Sequence, residues 1–140
     1  MIDVRMTVKG EPDTSPFIRT FFYLDKTDEQ IFYNSVEMIK KKIYGNLKIN
    51  VNESLIIFCA YVVSELRKRK STNTIERNSK DILSLENVMI GVSETLRDIT
   101  IEATVDNLAK RRLAFSQPIR STCYSDLELL TSHSEKLSNN

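Results

Sequence analysis

Nine consecutive apolar residues, Leu55 to Val63, constrain this chain more than any other feature. Asn50 lies just ahead of them, with Glu53 three residues on. In that pattern each side chain accepts a backbone N–H at a helix start. It opens a helix expected to run to about Lys70. A helix that is apolar on every face is buried on every side. One short companion helix cannot surround it, so the sequence predicts that a partner covers part of it. The run is far shorter than the roughly 20 residues of a membrane span, and no membrane association is expected. The chain's 140 residues set the expectation of one domain with its own core.

Other helices follow from spacing. Phe32, Val36, Ile39 and Ile43 recur at helical period and predict a helix from Asp28 to Tyr44. Thr27 and Gln30 form its expected capping box, Lys40, Lys41 and Lys42 favour the negative end of its dipole, and Gly45 is the stop signal. Arg67-Lys68-Arg69-Lys70 closes the second helix. A weaker helix is expected near Thr72 to Leu83, where Ile75, Ile82 and Leu83 are the apolar positions. Ser84 then caps a short helix through Leu96, with Val88, Met89, Val92 and Leu96 at helical spacing.

From Ile99 the period changes to two. Ile99, Ile101, Ala103 and Val105 share one face of a strand, and Thr100, Glu102 and Thr104 share the other. Asp106-Asn107 signals a turn, Leu113 and Phe115 alternate with Arg112 and Ala114, and the hairpin closes at Pro118. A lone hairpin is marginal in water, so it must pack on the helices or on a partner. The expected fold class is therefore α+β, a small bundle of about four helices followed by a C-terminal antiparallel hairpin. Ahead of it, Val4, Met6 and Val8 alternate with polar residues as in a short strand. Phe17 to Leu24 is aromatic and apolar and reads as a docking arm, with Phe17, Phe21 and Phe22 as its contact candidates. Three regions result: an N-terminal extension over 1–23, a domain over 24–120, and a polar, Ser-rich tail over 121–140 that contains Leu127, Leu129 and Leu130.

Composition excludes several function classes. Histidine occurs once, as His133 in the tail, and no cluster of nitrogen, sulfur or carboxylate ligands is apparent. There is no Gly-rich phosphate loop, nucleophile elbow or H-E-x-x-H pair. Glu94 and Glu102 read as surface charges on a helix and a strand rather than a catalytic carboxylate pair. The net charge of +1 and the lack of aromatics among the basic runs oppose nucleic-acid binding. Those runs are solvated helix ends or inter-subunit ion-pairing sites. Met1-Ile2-Asp3-Val4-Arg5 lacks the basic and apolar regions of a secretory signal. Cys59 reads as a buried small hydrophobe, and its pairing with the distant Cys123 is not expected. A cytoplasmic location is the expectation.

A set of motifs in order resembles the urease gamma-subunit family. Val88-Met89-Ile90-Gly91-Val92-Ser93-Glu94 resembles its V-M-x-G-V-x-E segment, Ile101-Glu102-Ala103-Thr104 its V-E-A-T strand, and Pro118-Ile119 its closing N-P-I. Lys40-Lys41-Lys42 falls where the family has arginines. Leu47-Lys48-Ile49-Asn50 with Glu53, then Val62-Val63, resembles K-L-N-x-x-E-A and its downstream V-V. The resemblance spans about residues 24–120. The chain departs from the family at its hairpin turn, where Asp106-Asn107-Leu108-Ala109 and one extra residue replace P-D-G-T, so a longer or bulged loop is expected. Ser116 stands for a histidine and Ser79 for a small glycine.

The resemblance implies a non-catalytic, structural subunit of an enzyme that hydrolyses urea to ammonia and carbamate. Its two-nickel centre would lie in a partner alpha subunit, with no cofactor in this chain. Alpha and beta chains would be the partners, in a trimer of heterotrimers. The motif residues that become interface candidates are Lys40, Lys41, Lys42, Asn50, Glu53, Val88, Met89, Gly91, Val92, Glu94, Ile101, Glu102, Thr104, Pro118 and Ile119. The other reading left open is a diverged adaptor that binds other proteins and has no link to urea.

Overall fold

The computed structural model describes residues 1–11 and 17–120. His133, Cys123 and the tail leucines lie outside the described residues. The elements are β1 (Ile2–Lys9), β2 (Ile18–Leu24), α1 (Lys26–Tyr44), α2 (Val51–Arg67), α3 (Thr72–Asn78), β3 (Leu83–Ser84), α4 (Val92–Thr95), β4 (Asp98–Val105), β5 (Arg111–Ser116) and β6 (Ile119–Arg120).

The class is α+β as expected, but the sheet is larger than a hairpin. It has four antiparallel strands in the order β2-β1-β4-β5. The N-terminal segment supplies half of it, and β1 sits centrally with Met6 opposite Thr20 on one side and Ile101 on the other. Alternation dictates which face is wet. Ile2, Val4, Met6, Val8, Ile99, Ile101, Ala103, Val105, Leu113 and Phe115 are buried, while Arg5, Lys9, Thr100 and Arg112 are exposed.

The buried face explains the all-apolar helix. From Ser54 to Leu66 every residue of α2 except Ile56 is buried, and Phe58 and Tyr61 meet Phe115 of β5 at ring-centroid distances of 5.9 and 6.1 Å. The expectation that a partner must cover this helix is corrected: the chain's own sheet and flanking elements enclose it. Four strands rather than the two of a hairpin supply that cover.

Helix boundaries differ in instructive ways. The Asn50–Glu53 capping box forms as expected, with Glu53 N–H donating to Asn50 Oδ1 at 2.8 Å and Asn50 N–H to Glu53 Oε1 at 3.0 Å. At α1, however, Asp25 rather than Thr27 is the cap, accepting from Asp28 N–H at 2.8 Å. The helix ends at Gly45 as expected, but the left-handed backbone comes one residue later. Asn46 is the left-handed residue (φ 64°), and Asn46 N–H and Leu47 N–H donate to the carbonyls of Ile43 and Lys42. The same arrangement ends α2 at Arg69 (φ 60°).

The helix expected over Ser84–Leu96 is mostly absent. Ile49 forms a parallel bridge with Val88, and Met89 N–H donates to Ile49 O at 2.9 Å, so the backbone here is extended. Two short turns are what remains helical: a 3-10 turn over Leu85–Asn87 that starts at Ser84 as expected, with Ser84 N–H donating to Asn87 Oδ1 at 2.8 Å, and α4, which follows the chain reversal at Gly91 (φ 92°). Tertiary strand pairing overrode local periodicity.

Candidate functional site

The sequence candidates fall on three surfaces. Lys42 Nζ reaches Glu53 Oε2 at 2.5 Å, which ties the end of α1 to the start of α2. Burial raises the Glu53 carboxyl, but hydrogen bonds from Lys42 and from Asn50 N–H outweigh it and hold the group below its ordinary range. Lys40 turns inward and pairs with Glu37 at 3.3 Å, so of the three lysines it alone is buried. Lys41 is exposed. Asn50 and Glu53 are thus helix-start residues first.

The second surface is the loop from Asn87 to Thr95. Val88 and Val92 are core residues, whereas Met89, Gly91 and Glu94 are exposed. Ile90, at the tip, is fully exposed. The loop is held on both sides: Ile49 N–H donates to Asn87 O, and Val92 N–H to Met89 O. Lys48 Nζ donates to Glu86 O at 2.9 Å. A preformed apolar tip on a fixed backbone is suited to seating in a partner's pocket.

The third surface is the outer face of the sheet. Ile101 points into the core, while Glu102 and Thr104 point out. Glu102 lies 3.2 Å from Lys110 and 3.1 Å from Arg112, and these cations hold its carboxyl below the ordinary range. Pro118 and Ile119 are buried, and β6 pairs in parallel with β3. Phe17 and Phe21 are exposed, but Phe22 turns inward and meets Phe32 edge-on at 5.7 Å. Tyr23, which the sequence reading passed over, joins the exposed pair.

Sequence reasoning missed one polar network. Arg67 of α2 grips Asp106 through two hydrogen bonds, Nε–Oδ2 at 2.8 Å and Nη2–Oδ1 at 3.1 Å. Its Nη1 donates to Glu29 Oε1 at 2.5 Å and lies 3.5 Å from Tyr33 Oη. Arg67 hydrogen bonding lowers the Asp106 carboxyl more than burial raises it. Burial lifts the Tyr33 hydroxyl to about 12 despite the opposing Arg67 charge. Asp106 (φ 52°) and Asn107 (φ 63°) are both left-handed, and Leu108 N–H donates to Val105 O at 3.0 Å. The hairpin thus turns without glycine at its tip, because Asp and Asn tolerate this region, and Arg67 clips that tip to α2. A bidentate arginine partner cannot be seen from sequence when it lies 39 residues away.

Among the described residues no group of three or more His, Cys, Asp or Glu side chains is placed to hold a metal ion. Cys59 is fully buried, and burial pushes its thiol well above the ordinary range. No helix among the described residues is long and apolar enough to cross a membrane.

Comparison with known proteins agrees with the motif order. The family model described as "Urease, gamma subunit" matches residues 23–119. The "Urease subunit gamma" of Halalkalibacterium halodurans is 36% identical over 77 residues, which cover 54% of this chain and 77% of that protein. The match begins near the end of β2 and runs through both helical and hairpin segments to β6. The chain belongs to the urease gamma-subunit family.

Proposed function

We propose that this chain is a structural, gamma-type subunit of a nickel-dependent urease. Urea would be hydrolysed to ammonia and carbamate at a two-nickel centre in a partner alpha subunit, with this chain contributing no catalytic group. The carrying observation is the family match over residues 23–119. The partners are alpha and beta chains, in a trimer of heterotrimers, and the location is cytoplasmic. The interface candidates are Lys41, Lys42, Asn50, Glu53, Met89, Gly91, Glu94, Glu102 and Thr104, which reach the surface in the folded chain. The buried motif residues Lys40, Val88, Val92, Ile101, Pro118 and Ile119 act by shaping that surface.

Affinity capture of the tagged full chain from its native source tests this. A large nickel-bearing chain should be recovered with it, and urease activity should accompany the captured fraction. Capture of the chain alone, with all ureolysis left in the flow-through, contradicts the proposal.

A second reading is favoured by β1 and most of β2, which lie outside the family match. On that reading the chain is a diverged gamma-like adaptor for other proteins. Capture of a stoichiometric partner other than urease chains would support it.

A further inference from the structure

The two edges of the main sheet are treated differently. The β5 edge is guarded by α3. Ala114 N–H donates to Glu76 Oε2 at 2.7 Å, and the Arg111 guanidinium reaches Thr72 Oγ1 and Lys70 O. At the β2 edge no further strand is paired among the described residues. The strand is seven residues long, Ile18-Arg19-Thr20-Phe21-Phe22-Tyr23-Leu24, with no proline and one charge. Such an edge is a template for another strand. Phe21 and Tyr23 are each 65% exposed on its outer side, with Phe17 at 58% beside them.

We infer that the β2 edge pairs with the β2 edge of a second copy of this chain, in antiparallel register about a two-fold axis at Phe21. The sequence of the strand selects this occupant. About that axis Phe21 meets its own equivalent on the outer face, and Arg19 lies opposite Tyr23 of the other copy. On the inner face Ile18 lies opposite Leu24, and Thr20 opposite Phe22. Ile18, Phe21, Phe22 and Leu24 each find an uncharged neighbour, and the one cation finds the Tyr23 ring. Arg19 already sits 5.3 Å from the centre of the Phe17 ring, so its guanidinium is disposed to aromatic contact. Two such copies form a continuous eight-stranded sheet from two four-stranded ones, with an isologous interface in which the same patch serves both partners.

The position of the edge also argues for the chain itself as partner. The family match starts at residue 23, so β1 and most of β2 belong to what this chain adds to the shared domain. A strand that the family match does not cover, and that is complementary to itself, needs no other component. The inference does not rest on the urease role proposed above, since neither the catalytic chain nor nickel enters it.

The test is sedimentation and light scattering of the full chain over a range of concentrations, with three variants. Wild type should move from monomer to dimer as concentration rises. Phe21→Lys and Phe21→Glu each place like charges at the axis and remove an aromatic pair, so each should weaken dimerisation roughly tenfold or more. Phe21 is exposed in the single chain, so at concentrations where wild type is monomeric both variants should share its thermal unfolding midpoint. An equimolar mixture of the two should restore a dimer, because residue 21 then faces an opposite charge. Phe21→Ser should fall between wild type and the charged variants. A wild-type chain that stays monomeric throughout overturns the inference. So does a dimer that the charged variants leave intact, or a mixture that fails to recover it.

Discussion

Arg67 reaches acceptors on two other parts of the chain, Glu29 and Tyr33 on α1 and Asp106 in the hairpin turn. Its side chain is largely buried, so deleting it strands the Glu29 carboxylate in a poorly solvated place and frees the more exposed Asp106 from α2. Arg67→Ala should therefore cost about 2 kcal/mol of stability, read as a lower urea midpoint with unchanged slope. The same network sets a pH dependence. Asp106 has a folded-state pKa below its unfolded value, so its contribution is present above the unfolded value of about 4 and lost as pH falls through the folded one. Asp106 is partly exposed, so the contribution is small. Wild type should lose stability on acidification below about pH 4 more steeply than Asp106→Asn, which keeps a turn-forming residue but no titratable carboxyl. Equal slopes for the two proteins would remove Asp106 from this role. At Arg69 the backbone is left-handed at the end of α2. Arg69→Gly should stabilise the chain by about 0.5–1 kcal/mol, since glycine meets no Cβ penalty there. A fall in the thermal midpoint would count against that reading.

Elements whose signals are local were legible in the sequence. The Asn50–Glu53 capping box, the alternation from Ile99 to Val105 and the Asp106-Asn107 turn depend on neighbours within a few residues, and each is found in the fold. Elements governed by distant pairing were not. Val88, Val92 and Leu96 have helical spacing, yet Ile49 draws the first of them into a bridge, and all three are buried without a continuous helix. Val4, Met6 and Val8 were legible as a strand, but nothing local says that it lies between β2 and β4. The consequence for β1 can be tested. Deleting residues 1–9 uncovers the β4 edge and the apolar residues beneath β1, so the shortened chain should lose cooperative unfolding or precipitate. A truncated chain with a wild-type unfolding transition would mean that β1 is dispensable. The sequence identified Glu94 as a surface charge, but it could not show that Met89 is exposed or that Lys40 and Phe22 turn inward.

At the scale of the molecule, one face of a four-stranded sheet carries the helices, and the other presents charged and aromatic residues. Among the described residues the core is enclosed by the chain's own elements, so the proposed assembly draws on surface features such as the Ile90 tip and the exposed aromatics of β2. Replacing Ile90 with Asp should leave the isolated chain's stability within about 0.5 kcal/mol of wild type while weakening assembly with the catalytic chain. Loss of stability with unchanged assembly would reverse that assignment. The proposed subunit role is tested most directly by native mass spectrometry of this chain co-expressed with the urease alpha and beta chains of its source and supplied with nickel. The account predicts a complex holding one copy of this chain per catalytic chain, with nickel retained by the catalytic chain after dissociation. A nickel-loaded, active complex that forms without this chain and never incorporates it would contradict the account.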